Sequence, residues 1–337
     1  MPAERLVSTS VASRLILATF LLAAANRTAA GAAAEQRPLR GSGPVNVMYA
    51  GSLTALFEKK IGPAFATATG FEFQGEGKGS VAIANLIKGK VRTPDVFVSA
   101  DPTVNVLLQG AANGDYVRWW TPFARTEMVI GWSPKSRFKE AFESATSGGR
   151  SWESILREPG FRLGRTDPEL DPKGYRTLWL FQLDEERTKQ AGEANRILGP
   201  PGNPAQIFPE ETLIARLQSG EIDAGIFYLI EAVEAGLATL SLPASINQGD
   251  PAQAAHYARM TYMNKKGTTF KGAPIVYTVT VPTTVRNREG AQAFVQFLVG
   301  DAGQALLAKE GLLQVARVVE GDAGAVPAPV KGSLGLP

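Results

Sequence analysis

The chain has 337 residues, a formal net charge of +3 and 20% charged side chains. This length accommodates two domains of ordinary size, and the composition is that of a soluble globular protein. Basic and acidic residues are scattered along the chain, which argues against a nucleic-acid partner and against a polybasic membrane patch. Cysteine is absent and His256 is the one histidine, so the sequence excludes disulfides, thiolate chemistry and Cys/His metal sites.

The N-terminal residues have the pattern of a secretory signal peptide. Arg5 and Arg14 flank a weakly polar start, and the apolar core that follows, Leu15 to Ala25, is too short to span a membrane. Small residues at cleavage spacing then lead to Ala34. We therefore predict a signal peptide over residues 1–34, cleaved near Ala34, and a periplasmic mature protein. An uncleaved N-terminal anchor is the alternative.

From residue 44 onward, short apolar runs alternate with segments of helical periodicity. The predicted strands cover residues 45–50, 95–100, 126–132, 222–228 and 274–281. The clearest predicted helices cover residues 173–190 and 210–220. This alternation predicts an α/β protein with mainly parallel sheets. The last residues, 319–337, are rich in Gly, Pro and Ala and are predicted to form a loose tail.

Two turns in the first part of the chain are candidate anion sites. Gly51-Ser52 lies between the strand that ends at Ala50 and a helical pattern, and Gly79-Ser80 also leads into a helix. Ligands of open α/β sheets bind beyond the carboxyl ends of strands, and the start of a helix attracts anions. Ser52 and Ser80 add hydroxyl donors, so the two turns can converge on one small anion. The alternative is that each serine only caps its own helix.

Five segments then stand in a characteristic order along the chain: YAGSLTALFEK; GKGSVAIANLI with PDVFVSADP; GRTDPELDPKGYRTLWLFQL; PEETLIARLQSGEIDAGIFY; and APIVYTVTVPTTVRNREGAQAFVQFLVGDAGQALLAKEGL. In this order, behind a signal peptide, they resemble the periplasmic molybdate/tungstate-binding proteins of ABC transporters. The resemblance covers roughly Val45 to Val315. LDPKGYR and IVYTVTVP are closer to the tungstate-type branch of that family.

The resemblance implies a set of ligand-binding residues. By it, Ser52 and Ser80 donate hydrogen bonds to the oxyanion, and the phenol of Tyr228 reaches the ligand. Thr212 would offer a backbone N–H at a helix start. Asp171 corresponds to an aspartate that approaches the metal of the bound oxyanion, which makes it the one candidate metal contact.

One position departs from the family. The tungstate-type branch has a glutamate before the tyrosine, and here that residue is Phe227. We therefore expect a four-coordinate, hydrogen-bonded anion. For three of the residues structural roles remain open. Asp171 and Thr212 are possible helix caps, and Tyr228 is a possible core aromatic.

The resemblance implies a type II periplasmic binding protein fold, in which two α/β lobes flank a ligand cleft and are joined by two hinge crossovers. The first lobe would comprise 45–124 plus 276–318 and the second 125–275, with crossovers near 123–126 and 273–276. The expected protein is a monomer that captures molybdate or tungstate and delivers it to an ABC permease, without a cofactor and without catalysis.

Three other functions remain as alternatives to this reading. They are a binding protein for sulfate or phosphate, a ligand-sensing domain and a secreted serine hydrolase. The hydrolase would need a base beside its serine, and the sequence around His256 has no triad pattern.

Overall fold

A computed structural model describes residues 39–336, so the predicted signal peptide lies outside the described residues. The strands are β1 Pro44–Ala50, β2 Glu72–Lys78, β3 Val96–Ser99, β4 Trp119–Thr126, β5 Met128–Trp132, β6 Leu163–Gly164, β7 Ala224–Tyr228, β8 Ala238–Ser241, β9 Thr261–Met263, β10 Thr269–Lys271, β11 Ile275–Thr280 and β12 Glu320–Gly321. The strands predicted from the sequence are all present, with the stretch 126–132 realised as the end of β4 and the whole of β5.

Helices cover both sheets. They are α1 Thr54–Leu56, α2 Gly62–Thr69, α3 Ser80–Lys88, α4 Pro102–Val106, α5 Lys139–Thr146, α6 Trp152–Leu156, α7 Pro172–Thr188, α8 Glu193–Leu198, α9 Glu210–Ser219, α10 Leu229–Glu234, α11 Ala244–Asn247, α12 Ala254–Tyr257, α13 Arg288–Val299, α14 Asp301–Lys309 and α15 Ala328–Ser333. Within residues 39–336, no helix is long and apolar enough to cross a membrane.

The strands form two main sheets. The first has the order β12-β4-β11-β3-β1-β2, and the second has the order β6-β7-β5-β8, while β9 and β10 form a separate hairpin. β1 runs parallel to β2 and β3, but β11 runs antiparallel to β3 and β4, and β5 runs antiparallel to β7 and β8. The expectation of mainly parallel sheets is therefore wrong. The strands at the two passages between the sheets, β4, β5 and β11, are antiparallel to their neighbours.

The chain passes between the two sheets at two places that lie side by side. β4 ends at Thr126 and β5 begins at Met128, so Glu127 alone separates a strand of the first sheet from a strand of the second. The chain returns to the first sheet at β11, whose Ile275 pairs with Thr126. The crossing segments are thus hydrogen-bonded to each other at the base of the cleft between the sheets.

The C-terminal residues are not a loose tail. β12 pairs with β4, with Glu320 opposite Trp120, and α15 packs against α13. Val326 and Val330 are buried in the main core. Gly and Pro content suggested disorder, but apolar residues at helical spacing attach this segment to the first sheet's helices.

The helical stretch after β1 begins directly at the Gly51-Ser52 turn. Residues 51–53 form a 3₁₀ turn, α1 follows, Phe57–Ile61 form a π-helical turn, and α2 continues to Thr69. π-helical turns are rare and occur frequently at functional sites. The Gly51-Ser52 turn stands at the carboxyl end of β1, an interior strand of the first sheet, and it contacts α9 and α10, which pack on β7 of the second sheet.

Candidate ligand-binding site

Ser52 lies buried at the end of β1, and its hydroxyl is 2.9 Å from the hydroxyl of Tyr277 on β11. Ser52 is not the capping residue of its helical stretch, because that position is Ala50, whose methyl group cannot accept a hydrogen bond. Ser52 thus bonds a residue far away in sequence rather than its own helix. The sequence analysis missed Tyr277, because nothing local in a strand of apolar residues shows which hydroxyl will meet Ser52.

Ser80 is the first residue of α3 and is fully buried, and its hydroxyl accepts a hydrogen bond from the Ala100 N–H at 3.1 Å. The start of α3 also touches the segment that precedes α7. The Ala82 N–H donates to the Leu170 carbonyl at 2.9 Å. A Cβ on Gly79 would stand 2.5 Å from the same carbonyl oxygen, so glycine permits this close approach.

Asp171 caps α7 and also faces the cleft. Its Oδ1 accepts the Lys173 N–H at 2.8 Å, which is the capping role left open by the sequence. Its Oδ2 is buried and has no hydrogen-bond partner among the described residues. Burial raises the pKa of Asp171 well above its usual value, and the negative charge of Glu210 acts in the same direction.

A buried cluster of Lys173, Glu210 and Glu231 lies next to Asp171 and was not predicted. Lys173 Nζ is 3.2 Å from Glu210 Oε1 and 2.7 Å and 2.8 Å from the two oxygens of Glu231. Burial alone would lower the pKa of Lys173, but the carboxylates of Glu231 and Glu210 outweigh it and hold that pKa above its ordinary value. Lysine and glutamate are rarely buried, so residue type alone predicts that these side chains are exposed to solvent. The one sequence signal was that Lys173 follows the capping Asp171 at the start of a long helix.

Tyr228 ends β7 directly before α10. Its N–H donates to Glu231 Oε1 at 2.7 Å, and its ring meets that of Tyr277 edge to face, with ring centres 6.2 Å apart. The Tyr228 hydroxyl is fully buried and makes no hydrogen bond within residues 39–336. Phe227, the adjacent strand residue, belongs instead to a small apolar cluster with Val129 and Leu213.

Thr212 is not part of this cluster. It is exposed, and both its N–H and its hydroxyl donate to the Pro209 carbonyl, at 3.0 Å and 3.1 Å. The expectation that its N–H is available to a ligand is not met in this structure, because α9 begins at Glu210 and Pro209 takes that hydrogen bond. The acidic residue at the start of this helix, Glu210, is the one that reaches the cleft.

A second charged pair joins the two sides of the cleft. Asp101, after β3, accepts from Arg176 Nη2 at 2.8 Å and from the Tyr175 hydroxyl at 3.0 Å. All three side chains are buried. Arg176 is thus paired with a carboxylate, which leaves it less available as an anion ligand.

The site brings hydroxyl groups and carboxyl groups together between the sheets. A cavity of about 240 Å³ borders it, with Gly79 and Ala82 on one side and Asp171, Ile207 and Glu210 among its other lining residues. That volume admits an ion the size of sulfate or molybdate. Within the described part of the chain, no group of three or more His, Cys, Asp or Glu side chains has the geometry to hold a metal ion directly.

Comparison with known proteins places the chain in a family. Residues 45–313 match the model of the bacterial extracellular solute-binding proteins. The chain belongs to this family. A Haloferax volcanii relative, described provisionally in its name as an ABC transporter molybdenum-binding protein, is 32% identical over 85% of this chain and 88% of its own. The molybdate/tungstate-binding protein WtpA of Thermococcus kodakarensis is 29% identical over 69% of this chain and 70% of its own.

Solved structures show the fold of this solute-binding protein. The periplasmic molybdate-binding protein of Azotobacter vinelandii aligns with a TM-score of 0.51 at 17% identity, over 80% of this chain and 99% of its own. The sulfate-binding protein SubI of Mycobacterium tuberculosis aligns with a TM-score of 0.52 at 16% identity, over 88% of this chain and 96% of its own. The solute-binding protein thus has the type II periplasmic binding protein fold. Because both structures carry this fold, the fold alone does not select the anion.

Proposed function

We propose that this protein captures molybdate or tungstate outside the cytoplasm and delivers it to an ABC permease. The observation that carries the proposal is the Tyr228 hydroxyl, a fully buried donor without a partner among the described residues, beside Tyr277 and its bond to Ser52. Buried hydroxyls normally have partners, so an unpartnered one in a cleft indicates a ligand contact. The names of the Haloferax and Thermococcus relatives support molybdate and tungstate as that ligand.

The donors lie on two proposed lobes. We assign residues 45–124 plus 276–318 to the first lobe, which carries Ser52, Ser80 and Tyr277, and residues 125–275 to the second lobe, which carries Tyr228. The sequence expectation placed 319–337 outside both lobes, but the packing of α15 against α13 adds that segment to the first. Because the donor set is complete when the lobes meet, an anion favours closure.

The donor set suits an anion that carries no proton. Ser52 and Tyr277 share one hydrogen bond, which uses one of their two O–H donors. The remaining donor of that pair and the Tyr228 hydroxyl can each donate to an oxygen of a tetrahedral dianion, and bonds to a charged acceptor are about twice as strong as neutral ones. Phe227 offers no oxygen, so we propose a four-coordinate metal, with Asp171 near the ligand but not bound to the metal. Asp171 Oδ1 is already occupied as the helix cap.

Location, assembly and the absence of catalysis complete the proposal. We infer that residues 1–34 are removed near Ala34, that the mature protein is a periplasmic monomer, and that it binds without transforming its ligand. Family membership supports an extracellular binding role. The sulfate, phosphate and sensing alternatives of the sequence analysis have no separate support in the site.

Deletion of the gene in its host tests delivery. With nanomolar molybdate or tungstate in the medium, we expect the deletion strain to accumulate less of the metal, and the intact gene to restore uptake. Sulfate uptake serves as the control and should not change. Equal metal accumulation with and without the gene, or a loss confined to sulfate, would contradict the proposed function.

A further inference from the structure

Acidic residues of the second lobe lie against both of the turns that are candidate anion sites, and at Gly51 the carboxyl group itself is in contact. At the first turn, a Cβ on Gly51 would overlap Oε2 of Glu210. At the second turn, a Cβ on Gly79 would stand 3.1 Å from Cβ of Asp171. Gly51 thus makes room for the Glu210 carboxylate, whereas Gly79 makes room for the Leu170 carbonyl and for Cβ of Asp171.

Glu210 is held firmly in this position. Its side chain is 4% exposed, and its Oε1 lies 3.2 Å from Nζ of Lys173. Lys173 is itself fixed by both oxygens of Glu231. The second oxygen of Glu210, Oε2, is buried, points at Gly51 and has no hydrogen-bond partner among the residues that the structure describes.

A carboxylate and an oxyanion compete for the same hydrogen-bond donors at a turn. Both are negatively charged and present oxygen acceptors, so a turn that attracts one attracts the other. Two negative groups in one buried place repel each other strongly. An oxyanion bound beside Ser52 would therefore have to displace the Glu210 carboxylate from Gly51.

We propose that Glu210 is an internal competitor of the oxyanion at the Gly51-Ser52 turn and thereby sets the affinity of the site. The inference rests on the proposed function, because it concerns the same cleft. Without an anion, the Glu210 carboxylate is held at Gly51 by its pairing with Lys173, and it leaves Gly51 when the anion binds. Because Glu210 weakens binding of the anion, it favours release of the anion.

The test measures affinity for molybdate and tungstate in the intact protein and in Glu210→Gln. The glutamine keeps the size of the side chain and removes its charge, so we expect affinity for both anions to rise at least about tenfold, which corresponds to about 1.4 kcal/mol. Glu221→Gln is the matched control. It makes the same change on the same lobe at an exposed glutamate that pairs with Arg216 outside the cleft, and affinity should stay within about twofold.

A second variant keeps the test decisive if Glu210→Gln does not fold, since that change removes one charged partner of the buried Lys173. Glu210→Asp keeps the charge but is one methylene shorter, so its oxygens retract from Gly51 and affinity should again rise. If Glu210→Gln folds and binds the anions no more tightly than wild type, the inference is wrong. If Glu210→Gln does not fold, the same result for Glu210→Asp overturns the inference. Weaker binding overturns it as well, because it shows that the carboxylate holds the ligand.

The two proposals fail in different ways. If wild type binds the metal oxyanions and the Glu210 variants gain nothing, the inference is wrong and the proposed function stands. If neither wild type nor variants bind molybdate or tungstate, both are wrong. Binding by the variants with little or none by wild type supports the competitor role in its strongest form.

Discussion

Replacing Tyr228 with phenylalanine should change stability and binding in opposite directions. The Tyr228 hydroxyl is buried and makes no hydrogen bond within the described residues, while its ring packs edge to face on Tyr277. Burying a hydroxyl without a partner costs about 1–3 kcal/mol. Tyr228→Phe removes that cost and keeps the ring contact, so the unliganded protein should gain stability. A gain of 1 kcal/mol would raise the Tm of a chain of this size by about 1.5 °C.

Binding should weaken in the same variant. If the hydroxyl donates to an oxyanion, its loss removes a hydrogen bond to a charged acceptor, worth about 1.5–3 kcal/mol. The dissociation constant should then rise about 10-fold to 150-fold. Tyr257→Phe is the matched control, because the fully buried Tyr257 donates its hydroxyl to the Ala244 carbonyl away from the site. That variant should lose stability and keep its affinity.

The assay combines thermal unfolding of the unliganded proteins with calorimetric titration of each by molybdate. The opposite signs separate a ligand contact from a structural hydroxyl. Affinity of Tyr228→Phe within about twofold of wild type would refute the role of Tyr228 as a donor. A lower Tm of the unliganded variant would show that the hydroxyl has a structural partner after all.

Three further predictions concern other positions. Ser52→Ala and Ser80→Ala should each weaken oxyanion binding about tenfold or more with the fold intact; unchanged affinity in both would restrict the serines to structural roles. Asp171→Asn keeps the helix cap and should leave affinity equal or higher, because it removes like charge from the site. X-ray absorption of the bound metal should show four oxygen neighbours, and two more that vanish in Asp171→Asn would contradict the four-coordinate site. Burial opposes ionisation of Asp223, but its bonds from Arg162 and Ser136 hold its pKa below the ordinary value. Such a group stabilises the fold above its unfolded pKa and loses this effect as pH falls. The Tm of the wild type should therefore drop more steeply than that of Asp223→Asn between pH 5 and pH 3. Parallel curves of Tm against pH for the two proteins would refute this role of Asp223.

Local patterns were sufficient for the turns and for strands β1, β3, β5, β7 and β11. Ser52 and Ser80 follow glycines where a strand or loop gives way to a helical pattern, and that arrangement is visible within about ten residues of sequence. Asp171 was correctly seen as a possible cap, because a capping aspartate immediately precedes its helix. The α7 and α9 boundaries matched the predictions to within two residues.

Long-range partners were not accessible from the sequence. Tyr277 meets Ser52 across 225 residues, and the burial of Lys173 depends on Glu210 and Glu231 arriving from two other helices. Thr212 was misplaced although the start of α9 was predicted correctly, because its N–H and hydroxyl both bond the Pro209 carbonyl, and Glu210 is the residue that faces the cleft. A helical wheel of α9 identifies its apolar face but cannot show that an acidic residue at its start is enclosed by another lobe.

The C-terminal segment shows the limit of composition as a guide. Glycine and proline made residues 319–337 look disordered, yet Val326, Val330 and Leu334 recur at helical spacing and are all buried. Weighing that spacing against the composition would have predicted a docked helix.

Calorimetric titration of residues 35–337 with molybdate, tungstate, sulfate and phosphate tests the central claim most directly. We predict tight binding of molybdate or tungstate, weak binding of sulfate and phosphate, and one anion per chain. Preference for sulfate or phosphate over both metal oxyanions, or no binding of any of the four, would contradict it.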